Sequence, residues 1–165
     1  MGTFSLALQR GKKAANTAEI ANLEIDTVFK ELKTDVLEAT AGKVAIGLGK
    51  ADGIRAFVYW AQAAAKEAST GMASVESSMR SMHLLASNPK AFDKSSVRLG
   101  GFEWPFEGYP CELSYSNHTA RCHDERALRE ALQQMLANAW VANKIVEIEG
   151  RELVDSVIGD VDYEL

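Results

Sequence analysis

From Ile54 to Ala86 the chain reads IRAFVYWAQAAAKEASTGMASVESSMRSMHLLA, and the secondary structure of this stretch decides the fold. Ile54, Val58, Ala61, Ala65, Ala68, Met72, Val75, Met79, Met82 and Ala86 recur at spacings of four and three. That alternation is one face of a long amphipathic helix. Asp52 is placed to cap its start, and Asn88-Pro89 to end it, because the residue before proline is disfavoured in helical angles. Gly71 is the weak point within it.

Upstream, Ala18, Ala21, Ile25, Val28, Leu32, Val36 and Ala39 form a second such stripe over about Asn16 to Ala41. Asn16 with Glu19 suits a capping pair, and Gly42 suits a left-handed stop. The glycine-punctuated connection Gly42–Gly53 turns the chain back, which predicts an antiparallel helical hairpin, or a coiled-coil arm if the stripes pair between chains. A short buried strand over Val44–Leu48 is the alternative to a plain loop there. Gly47-x-Gly49-Lys50 lacks the spacing and the hydroxyl residue of a phosphate loop.

Beyond Pro89 the character changes. Val97–Phe106 and Tyr109–Tyr115 are rich in strand formers, and Ser116–Thr119 is a polar turn leading into Ala120–His123, so a small antiparallel sheet is expected. Pairing Tyr115 with Ala120 would set Leu113 against Cys122 and Glu112 against His123. Asp124 then caps a third helix with Leu128, Leu132, Met135, Leu136, Ala139 and Trp140 on its apolar side. Lys144–Ile148 adds a strand or extends that helix, and Arg151–Ile158 reads as a short acidic helical end. The expected fold class is α+β: two long N-terminal helices, a small antiparallel sheet, a C-terminal helix and the acidic end. Residues 1–88 form a helical hairpin or arm and 89–165 a small α+β unit, together one folding unit.

Composition excludes several functions. The 165 residues are 47% hydrophobic and 25% charged, a globular balance that supports one sizeable core. The longest apolar runs, Val44–Leu48 and Ala56–Ala61, fall far short of the ~20 residues a membrane-crossing helix needs. Arg10, Lys12 and Lys13 follow the short apolar start instead of preceding it, which is the reverse of a secretory signal and predicts a cytoplasmic protein. The net charge is −5, concentrated between Ile145 and Leu165, where seven acids face one cation, Arg151. With no basic footprint, nucleic-acid binding is disfavoured.

Candidate chemistry gathers in two places. Both cysteines and two of the three histidines lie between Cys111 and His123. His118, Cys122 and His123 are the candidate metal ligands, and His123 with Glu112 and Asp124 is the candidate acid–base group, since a carboxylate orients an imidazole and raises its pKa. Strand alternation opposes both, because it turns Cys111 and Cys122 inward and Glu112 and His123 outward. Neither Cys-x-x-Cys nor His-x-x-x-His occurs, and no cofactor is called for. The second place is apolar: Met72, Met79 and Met82 on the long stripe, and Phe102, Trp104, Phe106 and Tyr109 in a proline-braced run, suit contact with a protein partner or a second copy. The leading expectation is a non-enzymatic, self-associating interaction or assembly protein. The alternatives are a small metal-dependent or acid–base enzyme using Cys111–His123, and an acidic immunity or inhibitor protein that covers a basic target.

Overall fold

The computed structural model describes residues 2–50 and 79–154. Helix α1 runs Thr3–Ala39 and is followed by strands β1 (Ala45–Gly49), β2 (Met79–Ser87), β3 (Val97–Pro105), β4 (Cys111–Tyr115) and β5 (His118–Cys122), then helices α2 (Glu125–Leu136) and α3 (Ala139–Glu149). The strands form one antiparallel sheet in the order β1-β2-β3-β4-β5. The α+β class is therefore as expected, with helices and strands segregated. No helix among the described residues is long and apolar enough to cross a membrane.

The stripe Ala18, Ala21, Ile25, Val28, Leu32 and Val36 is buried along α1. The helix stops where glycine was expected to stop it. Ala41 and Gly42 take positive φ, 51° and 78°, and their amides donate to the carbonyls of Glu38 and Leu37. This satisfies carbonyls that the end of a helix leaves bare. The start differs from expectation: α1 begins at Thr3, capped by Gly2 without a side-chain bond, and Asn16 is an interior position.

The long helix expected over Ile54–Ala86 is corrected at its end. Residues 54–78 lie outside the described residues, and Met79–Ala86 belong to strand β2, hydrogen-bonded to β1 on one side and β3 on the other. Leu84 and Ala86 are buried and Met82 packs against the same core, so the operative period is two. Val44–Leu48 is largely the strand β1.

A bulge governs the middle of the sheet. Leu84 pairs with Gly100 but Leu85 with Arg98, leaving Leu99 as the extra residue. The inward set of β3 consequently switches from Phe102 and Trp104 to Leu99, and all three are buried. Gly100 is obligatory beside the bulge, because a Cβ there would stand 2.3 Å from the Ser114 carbonyl oxygen.

The β4–β5 turn is tighter than expected. Ser116 adopts φ 49°, so Ser116-Asn117 alone reverses the chain and Tyr115 pairs with His118. The register moves by two, which preserves the inward face of Cys111, Leu113 and Tyr115 but replaces every cross-strand partner. The third helix is also divided: it breaks at Ala137-Asn138, where the Asn138 side chain accepts from the amides of Trp140 and Val141 and opens α3. Of the helical end expected over Arg151–Ile158, Arg151–Leu153 are not helical, since Leu153 bridges Ala91 and the Phe92 amide donates to the Glu152 carbonyl, Val154 is helical, and residues 155–165 lie outside the described residues. Asn88 anchors this corner from within, donating to the Ile148 carbonyl at 3.0 Å and accepting from the Lys90 amide.

Arg129 ties α2 to α1. Its guanidinium donates to Glu125 at 2.8 Å and to Glu31 on α1. The Arg129 hydrogen bond holds the Glu31 carboxyl below its ordinary value of 4.5. A carboxyl depressed on folding adds stability above its unfolded pKa, and this is lost as pH falls through the folded value. Arg129→Gln should return the Glu31 titration midpoint, followed by NMR, to the ordinary range. The gap in urea midpoint between the two proteins should be open at neutral pH and close in acid.

Candidate functional site

Three surfaces compete for function: the Cys111–His123 hairpin, the aromatic run of β3, and the first half of α1. In the hairpin, Cys111, Leu113 and Tyr115 face the core, and Cys122 joins them from β5. His118 is exposed beside the Tyr115 ring, with centroids 5.6 Å apart. It precedes Cys122 by four residues along an extended strand, roughly 13 Å at the usual rise. His123 is exposed just after β5, while Glu112 pairs with Arg121 instead of His123. Asp124 is occupied as a helix cap, its carboxylate accepting from the Ala127 amide at 2.8 Å. The metal and acid–base candidates are thus spread over two faces of the hairpin and a cap. Among the described residues no group of three or more His, Cys, Asp or Glu stands ready to hold a metal ion.

What the register does bring together is the two cysteines, which are direct cross-strand partners. Both are free and buried. A hydrogen bond to Cys122, reinforced by burial, pushes the Cys111 thiol up and leaves Cys122 the more acidic of the two.

The aromatic run divides by burial. Phe102 is fully buried, its ring 4.8 Å from Phe29 of α1 in an edge contact and 5.1 Å from Trp104. Trp104 is buried as well, and its indole N–H donates to the Asn22 side chain at 3.2 Å. Asn22 also donates to the Phe106 carbonyl at 2.9 Å and accepts from Arg80, whose guanidinium lies 6.0 Å from the Trp104 ring and 5.8 Å from that of Phe106. Phe106 and Met79 are exposed, Met82 and Tyr109 half-buried, and Met72 lies outside the described residues. A hollow of about 200 Å³ opens between α1 and the sheet here, lined by Asn22, Ile25, Phe29, Leu48, Arg80 and Trp104. That is below the roughly 300 Å³ at which small-molecule sites begin. Asn22 and Arg80 carry no signal in the sequence, since a polar residue on α1 becomes a cross-link only once β3 is beside it.

The third surface was missed for a different reason. Residues 3–17 of α1 are exposed throughout, with Phe4 at 91% and Leu8 at 61%. The buried stripe of α1 nevertheless continues backward in step from Ala18 through Ala14, Gly11, Ala7 and Phe4. The 4-3 spacing was legible there, but the small residues Ala7, Gly11 and Ala14 give it little hydrophobic weight. Gly11 leaves open space where a Cβ would stand.

Comparison of this chain with protein-family models, with curated proteins and with solved structures found no match.

Tyr109 offers a direct check on the aromatic corner. Its hydroxyl is buried with no hydrogen bond formed among the described residues, the Glu24 carboxylate being its near polar neighbour, and burial, followed by the negative charge of Glu24, pushes its pKa upward. An unpaired buried hydroxyl contributes nothing and costs its desolvation, about 1–3 kcal/mol at most. Tyr109→Phe should therefore leave the urea midpoint unchanged or raise it; a loss beyond about 1 kcal/mol would mean that the hydroxyl has a partner.

Proposed function

We propose that this chain is a non-enzymatic interaction protein that self-associates through the exposed first half of α1. The observation that carries the reading is the continuity of one apolar stripe from Phe4 to Val36, of which only the part from Ala18 onward is buried. A helix held only by its own backbone bonds is marginal in water, and burial of its apolar face is the ordinary source of its stability.

The occupant is a second copy. Residues 1–18 carry Arg10, Lys12 and Lys13 and no acid, so the arm is basic as well as apolar. Helix α3 is acidic by a margin of one: Trp140 and Val146 are exposed at 43% and 62%, and Glu147 and Glu149 outnumber Lys144, whose ammonium lies 4.7 Å from the Trp140 ring. An arm laid on α3 of a second copy would cover apolar surface on both and set lysines against carboxylates. A two-fold exchange of arms satisfies both copies at once and closes the assembly.

Light scattering on a sizing column, over a tenfold concentration range, should give twice the chain mass of 18.0 kDa. The double variant Phe4→Glu, Leu8→Glu should elute as a monomer that keeps the cooperative urea transition of the wild-type core. Raised salt should weaken the wild-type dimer by screening the lysine–carboxylate pairs. A wild-type monomer at every concentration, or a dimer that survives the double variant, would overturn the reading.

A further inference from the structure

The β4–β5 hairpin ends on a pair of thiols. Cys111 and Cys122 stand directly opposite one another, with relative exposures of 0% and 1%. Directly opposed residues of an antiparallel ladder have Cα atoms about 4.5–5.5 Å apart, inside the roughly 4.4–6.8 Å that a disulfide spans. The Cα spacing therefore admits a disulfide, and the Cβ atoms, about 4.5–5.5 Å apart in such a pair, need draw together only slightly to reach the roughly 3.5–4.5 Å of the bond. The Cys122 sulfur beside it, and then burial, push the Cys111 thiol up, and Cys122 Sγ donates to the Ala120 carbonyl at 3.9 Å.

Their place in the fold gives them a route to reagent. Among the described residues β5 is the outer strand of the sheet, and Cys122 is its last residue, next to exposed His123. Reaching the pair requires the end of β5 to part from α2, a local opening less costly than global unfolding.

We propose that Cys111 and Cys122 are a redox couple that closes a cross-strand disulfide when the protein meets a hydroperoxide. Cys122, having given its proton to solvent, attacks one peroxide oxygen; the O–O bond breaks, Cys122 becomes a sulfenic acid, and the departing alkoxide or hydroxide takes up a proton. Cys111 then attacks Cys122 Sγ, the S–S bond forms, the S–O bond breaks, and the Cys111 proton leaves with hydroxide as water. The protein loses two hydrogens and two electrons, and the peroxide is reduced to water and an alcohol, or to two waters if it is hydrogen peroxide. The order of events follows position: Cys122 ends β5 next to exposed His123, whereas Cys111 lies on β4 between two strands, and the direction of the thiol shifts agrees, Cys111 up and Cys122 down.

The test uses the full chain and a few-fold molar excess of hydrogen peroxide, followed by alkylation in denaturant and intact-mass measurement. The expected product is about 2 Da lighter than the starting chain, carries no alkyl groups, and regains both alkylation sites after dithiothreitol. Digestion should give one cross-linked pair of peptides containing Cys111 and Cys122. Cys111→Ser should stop at a Cys122 sulfenic acid, about 16 Da heavier and trapped by dimedone, while Cys122→Ser should stay unoxidised over the same interval. Two alkylated cysteines after treatment of the wild type, oxygen adducts without a cross-link, or a disulfide between chains would each overturn the proposal. The wild-type result decides the question even if a serine variant fails to fold.

Discussion

The contact on which the rest of the architecture depends is the seating of Phe102 under α1. The Phe102 side chain meets Phe29 on the helix and Trp104 on its own strand, and it is fully buried. Burying a side chain of that size contributes about 1.5–3 kcal/mol, and aromatic edge contacts add to it. The contact also fixes geometry. With Phe102 and Trp104 inward, the bulge at Leu99 is the only way for the other end of β3 to keep an apolar residue on the same side. Gly100 must then yield room to the Ser114 carbonyl, and β4 is drawn in register with β3. The helix, the bulge and the register of the hairpin are successive consequences of one ring finding its place.

Around that contact the sheet is covered on one side. Ile46, Leu84, Leu99, Phe102, Leu113 and Cys122 belong to one core with residues of α1, α2 and α3. Polar cross-links then set the rim: Asn22 fastens α1 to the end of β3, Arg129 fastens it to α2, and Asn88 holds the corner where β2 meets the end of α3. Each of the three joins elements far apart in sequence, so each depends on the apolar core for its geometry.

How much of this could be read from the sequence follows from which periods coincide. Helix and strand both bring residues i and i+4 to one face, so Met82 and Ala86 fit a helical stripe and a strand equally well. Leu84, also inward in β2, breaks the helical reading, but one residue against a run of matching ones is outweighed in a pattern search. The true signal was local alternation over Met82, Leu84 and Ala86. The hairpin was legible in its faces but not in its partners, because a shift of two residues leaves alternation intact. Only the willingness of Ser116 to adopt a positive φ decides between the two registers, and serine gives little warning of it. The caps at Asp124 and the stop at Gly42 were legible because they are local chemistry. The meeting of Cys111 with Cys122 was not, because it hangs on that one turn.

Helix α1 is continuous in geometry and divided in what holds it. Its 37 residues share one unbroken ladder of backbone bonds, yet tertiary burial begins only at Ala18. The amides before that point are protected by their own turns, and those after it by the whole core. Within one chain, opening of the first four turns breaks no apolar contact among the described residues, so outside the proposed pairing this part of the helix can melt and reform while the sheet remains folded. A single rod thus carries two cooperative regimes, and the boundary between them is set by where the sheet ends beneath it.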